Sequence, residues 1–91
     1  MSESSAEPIA QVEAALTIDD RFLEVTGTPR ALVRDCIRRA LLCHDGNVAE
    51  TIAWMESPNR SLDDVSPSSL IHRGAAQLLL RTLHAQEEIY G

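Results

Sequence analysis

TPRALVRDCIRRALLCHDG, residues 28–46, is the stretch whose reading decides the fold. Thr28 reads as an N-cap, Pro29 as the first helical residue and Gly46 as the stop. Between them Leu32, Val33, Cys36, Ile37, Ala40 and Leu41 recur at helical spacing, while Arg30, Arg34 and Arg38 mark the opposite, wet side. The same punctuation extends outward in both directions.

Towards the N-terminus, Ile9, Val12 and Leu16 follow Pro8 at helical spacing. Thr17 with Asp20 resembles a capping box that opens a short second helix lined by Ile18, Phe22 and Val25 and ended by Gly27. Towards the C-terminus, Asn47 with Glu50 opens a helix carrying Val48, Ile52 and Met55, which Pro58 ends. Residues 57–65 read as an irregular connection. Ser66-Pro67 restarts a short helix through Leu70 and Ile71, with Gly74 as its C′ residue. Ala76, Leu79, Leu80 and Leu83 define a last helix. No strand alternation or internal repeat is visible. The expectation is an all-α fold, a single compact domain of five or six short helices, with residues 1–6 a flexible polar tail and residues 7–30 a set of N-terminal helices.

Composition supports the same class. Of the 91 residues 44% are hydrophobic, but Phe22, Trp54 and Tyr90 are the only aromatics, so the core is aliphatic. The net charge is −6, and all eight basic residues are arginine. Such a chain is repelled by phosphate at long range, which disfavours general nucleic-acid and anionic-membrane binding. No apolar run approaches a membrane span of ~20 residues, and Met1 to Glu7 lack a signal-peptide pattern, so a cytoplasmic location is expected. Cys36 and Cys43 share a helix face but lie too far apart to bridge. Both read as small buried hydrophobes in a reducing compartment.

Catalytic chemistry finds little footing. There is no phosphate-cradling glycine loop, no metal-spaced Cys/His cluster and no nucleophile elbow. His44, His72 and His84 fall on separate elements and read as surface or helix-end residues. Cys36 near Arg39 would be an activated thiol only if exposed, and its place on the apolar stripe favours burial. Asp63-Asp64 and Glu87-Glu88 are adjacent pairs whose side chains diverge. No catalytic residue, metal or cofactor is expected, and the chain reads as a binding protein.

One segment carries more. WMESPNRSLDDVSPSSLIHRG, residues 54–74, precedes a Leu-rich helix that ends in IYG. It resembles the toxin-binding domain of the Xre/MbcA/ParS antitoxin family at Trp54, Pro58, Asn59, Leu62, Pro67, Leu70 with Ile71, and Gly74, then at Leu79 and Leu83. That family often has Gly in the loop where Asp64 or Val65 stands. The resemblance covers about Ala31 to Gly91 and makes residues 31–91 a toxin-binding-like helical domain. It implies a cognate RES-type toxin that consumes NAD, neutralised by occlusion of its active site. The partner-binding residues would be Leu83, Glu87, Ile89, Tyr90 and Gly91, with Ile89, Tyr90 and Gly91 projecting beyond the last helix. The same residues also have plain physical roles. Trp54 can cover the core, Asn59 can hold a turn through side-chain hydrogen bonds, and Leu62 can anchor the loop.

Two further readings stay open. LTIDDRFLEVTGTPRALVR, residues 16–34, is similar to a reduced helix-turn-helix unit, in which Thr28, Arg30, Arg34 and Arg38 would be DNA-binding residues of a transcriptional regulator. The competing reading makes those arginines a solvated face, and the net negative charge favours it. FLEVTG with the later GNVAETIAWM resembles a ubiquitin-associated three-helix domain, whose interface would fall on Thr26, Gly27, Thr28, Ile52 and Met55. The spacing of 19 positions from Gly27 to Gly46 is about a helical turn longer than that family normally has. A homodimer is compatible with every reading.

Overall fold

Short polar side chains, prolines and left-handed residues set the helix limits. In the computed structural model, which describes residues 7–90 and their side chains as far as Ala85, six α-helices follow in order: α1 (Pro8–Ala15), α2 (Asp20–Thr26), α3 (Arg30–Cys43), α4 (Val48–Glu56), α5 (Pro67–His72) and α6 (Ala76–Tyr90). A 3-10 turn, Arg60–Leu62, lies between α4 and α5. The described residues contain no strand beyond an isolated bridge between Asn59 and Val65. The fold is all-α, as the periodicity predicts. The polar tail assigned to residues 1–6 lies outside the described residues, as does Gly91.

Several expected caps are present. The Asn47 side chain accepts from Glu50 N–H, and the Ser66 hydroxyl accepts from Ser69 N–H, each satisfying a donor that the first turn leaves free. Two differ. Asp19, rather than Thr17, caps α2 by accepting from Phe22 N–H at 2.8 Å, because Thr17 is already used in closing α1. Thr28 does not cap α3 through its side chain. Its hydroxyl lies 2.8 Å from that of Thr26, and helix α3 begins at Arg30 after Pro29.

Four helices end in the same way. After α1, Ile18 N–H reaches the Glu13 carbonyl; after α2, Thr28 N–H reaches that of Leu23. After α3, Gly46 N–H reaches Leu41, and after α5, Ala75 N–H reaches Leu70. Each closure needs a left-handed residue. Gly27 (φ 70°) and Gly74 (φ 79°) provide it without steric cost, and Asp45 (φ 55°) is of a type that tolerates it. At the end of α1 it is Thr17 at φ 60°, a β-branched residue in a region such residues rarely enter.

Helix α3 is the central strut. It packs against α6, α1 and α4, while α5 bridges α4 and α6. Val33, Cys36, Ile37 and Ala40 are fully buried along it, with Val12 from α1, Met55 from α4, Ile71 from α5 and Leu79 from α6. Three burial assignments change. On α2 it is Leu23 that is buried while Val25 is 78% exposed, because Phe22, Leu23 and Thr26 share the inward arc. Cys43 is exposed, since the last turn of α3 runs past the core and leaves neighbouring Leu42 in solvent as well. Arg34, expected on the wet side, is half-buried because α1 packs over that side of α3.

Candidate partner-binding site

The Trp54–Gly74 segment forms one continuous corner of the molecule. Trp54 lies in the last turn of α4, half-buried against the core, with its ring centroid 5.9 Å from that of His44. Exposed Pro58 follows the end of the helix. Asn59 then organises the connection: its side-chain oxygen accepts from Ser61 N–H at 2.9 Å, its own N–H donates to the Val65 carbonyl, and its carbonyl accepts from Asp64 N–H. Leu62 is buried beneath, anchoring the 3-10 turn against α6. Asp63 and Asp64 are both left-handed, at φ 57° and 64°. Pro67 is buried at the first turn of α5, and Leu70 and Ile71 enter the core.

Helix α6 is fixed along one side by Ala76, Leu79 and Leu83, all buried. Its opposite side is exposed: Gln77, Leu80, Arg81, His84 and Ala85 line an open groove of about 360 Å³. Among the expected partner-binding residues, Leu83 is therefore a core residue, 1% exposed. The backbone of Glu87, Ile89 and Tyr90 continues the helix, so Ile89 and Tyr90 extend α6 rather than forming a separate tail. Their side chains, and Gly91, lie outside what is described.

The arginine face is occupied by the chain's own carboxylates. Arg30 pairs with Asp20 at 2.6 Å and approaches Glu13 at 3.8 Å. Arg34 pairs with Glu7, and its Nη1 donates to Glu13 Oε1 at 3.2 Å. The Glu7 hydrogen bond, outweighing partial desolvation, keeps the Arg34 guanidinium more firmly protonated than usual. Arg38 pairs with Asp35 at 2.5 Å, and Arg39 Nε lies 3.4 Å from the same carboxylate. Burial opposes charge on Asp35, but the two arginines prevail and hold its carboxyl below the usual range. Thr28 is buried, 8% exposed.

Sequence reasoning missed Glu13. Its residue is 5% exposed, and its Oε2 has no hydrogen-bond partner among the described residues. The signal was available: Glu13 follows Ile9 by four positions and so shares the apolar face of α1, opposite two arginines four apart on α3.

Two histidines, His44 and His72, are helix-end residues with partners, and His84 lies exposed along α6. His44 Nδ1–H donates to the Ala40 carbonyl at 2.8 Å, and His72 Nε2–H donates to the Leu16 carbonyl at 2.8 Å while its ring lies 5.0 Å from Phe22. The Cys36 thiol donates to the Ala76 carbonyl at 3.4 Å, and burial pushes its pKa up to about 12, so it stays protonated at neutral pH. Among the described residues no three His, Cys, Asp or Glu side chains gather as a metal site would require. No described helix is long and apolar enough to cross a membrane. Comparisons with protein-family models, curated proteins and solved structures returned no match.

Proposed function

We propose that this chain is an antitoxin-type binding protein that neutralises a RES-class, NAD-consuming toxin by occluding its active site. The observation that carries the reading is the Trp54–Gly74 corner. Most positions of the resemblance have a distinct structural duty there, from the Asn59-held turn and the Leu62 anchor to the Pro67 start and Gly74 end of α5. In the loop where that family often has Gly, at Asp64 or Val65, Asp64 adopts a left-handed backbone that Gly would adopt freely. Beyond this corner α6 packs on α3 and its backbone continues to Tyr90, carrying the residues assigned to occlusion.

The other two readings gain no such support. A DNA-binding face would need free guanidiniums, and Arg30, Arg34 and Arg38 are each engaged by a carboxylate of the same chain. A ubiquitin-type interface on the outer surface of α4 would need Met55 accessible, and Met55 is fully buried.

The test is direct titration. The full chain, added to a purified RES-domain enzyme, should stop NAD loss at a one-to-one ratio, and a chain lacking Gln86 to Gly91 should bind without stopping it. Undiminished NAD loss at saturating full-length chain would remove the reading. Full inhibition by the shortened chain would move the occluding surface elsewhere.

A further inference from the structure

The first helix lies across the rest of the fold as a strap. It packs on α3 and α4, although α2 is its neighbour in sequence. Val12 and Leu16 enter the core from it, Glu7 and Glu13 meet Arg34, and Glu13 approaches Arg30. His72 on α5 holds its last carbonyl. All the groups that receive α1 thus belong to elements beyond the hinge, and they match α1 in both shape and charge.

The hinge is short and strained. Only Thr17 and Ile18 separate the C-cap Leu16 from Asp19, the N-cap of α2. Thr17 sits at φ 60°, whereas the equivalent stops after α2 and α5 use glycine and that after α3 uses aspartate. A β-branched residue is the least suited of these to a left-handed backbone. Relaxing Thr17 to right-handed helical angles relieves that strain, and once Asp19, extended here as the N-cap of α2, turns helical as well, α1 and α2 join in one helix over 8–26, about 28 Å long. In that state α1 no longer reaches its own seam.

From this arrangement we infer that α1 exchanges between two copies of the chain, producing a domain-swapped dimer. The empty seam exposes apolar surface and leaves Arg30 and Arg34 without Glu13, so it must be refilled. The segment that fits it in both pattern and charge is α1 of a second copy. The Val12, Glu7 and Glu13 contacts of α1 are then remade between chains, and the hinge strain is gone from both. The exchange is independent of the toxin partner.

The experiment uses the full chain over about 10 μM to 1 mM, with mass read by sedimentation or light scattering. The wild type should form a dimer that dissociates slowly on dilution, because release requires α1 to undock. Thr17→Gly removes the strain from the closed form. It should weaken the dimer roughly a hundredfold, a factor of about ten from each hinge. A wild type that stays monomeric throughout, or a dimer unaffected by Thr17→Gly, would overturn the inference. Charge exchange gives a second, independent readout. Glu13→Arg and Arg34→Glu each set like charges facing each other within their own chain. Mixed together, only reciprocal exchange restores opposite charges at both seams. Native mass spectrometry should show the mixed dimer dominating over either homodimer, and a statistical mixture or no mixed dimer would refute the swap.

Discussion

The Glu13 carboxylate on α1 and the Arg34 guanidinium on α3 meet at 3.2 Å across the seam between the two helices, with Glu13 buried and Arg34 half-exposed. The pair is asymmetric, so its two halves respond differently to mutation. Arg34→Ala leaves a buried carboxylate short of its main partner and should lower stability clearly. Glu13→Leu removes the buried charge and fills its space, leaving Arg34 to Glu7 and Arg30 to Asp20. It should stay within about 1 kcal/mol of the wild type. Urea unfolding of the two variants checks this, and equal losses would show that the pair is not buried as described.

The two cysteines should be chemically distinct. Cys36 is buried and its thiol is held protonated, with a pKa of about 12, whereas Cys43 is exposed. A thiol-specific chromogenic reagent at pH 8 should titrate one thiol per folded chain rapidly and the second only on denaturation. Cys43→Ser should abolish the fast phase. Two fast equivalents would place Cys36 at the surface.

The loop over residues 63–64 contains two consecutive left-handed aspartates. Asp64→Gly removes the steric cost of that backbone, although it also loosens the unfolded chain. The net expected gain is about 0.5 kcal/mol, read as a rise in melting temperature of a few degrees. A fall in melting temperature would mean that the Asp64 side chain supports the loop.

Acid should weaken the arginine-rich side of α3. The Asp35 carboxyl is held below its ordinary value by Arg38 and Arg39 against the opposing effect of burial. A carboxyl with a depressed folded-state pKa contributes stability above its unfolded value, near 4. That contribution is lost as pH falls through the folded-state value. Asp35→Asn should therefore lower stability at pH 6 and make little difference at pH 2. An equal deficit at both pH values would mean that Asp35 acts through packing rather than charge.

Much of this molecule was legible in its sequence because the relevant interactions are local. A helix start needs a cap such as Asn47 or Ser66 and a donor three residues on, and a helix end needs Gly27 or Gly74 where the backbone turns left-handed. The Asn59 turn and the Leu62 anchor follow from the same short-range chemistry. These local interactions point to five or six helices, an aliphatic core and the corner between α4 and α5.

Long-range packing decided the rest, because periodicity says which residues share a face and not what covers it. Cys36 and Cys43 share a face, yet only Cys36 lies under α6. Arg34 lies on the polar side of α3, yet α1 crosses it there and brings Glu13 to meet it. Thr28 looked like a cap until the turn between α2 and α3 directed its hydroxyl at Thr26 instead. The placement of α1 across α3 and α4, rather than alongside α2, is set by burial of Val12 and Leu16 together with the opposed charges at the seam. Those groups are brought together only when residues some twenty positions apart meet in the folded chain.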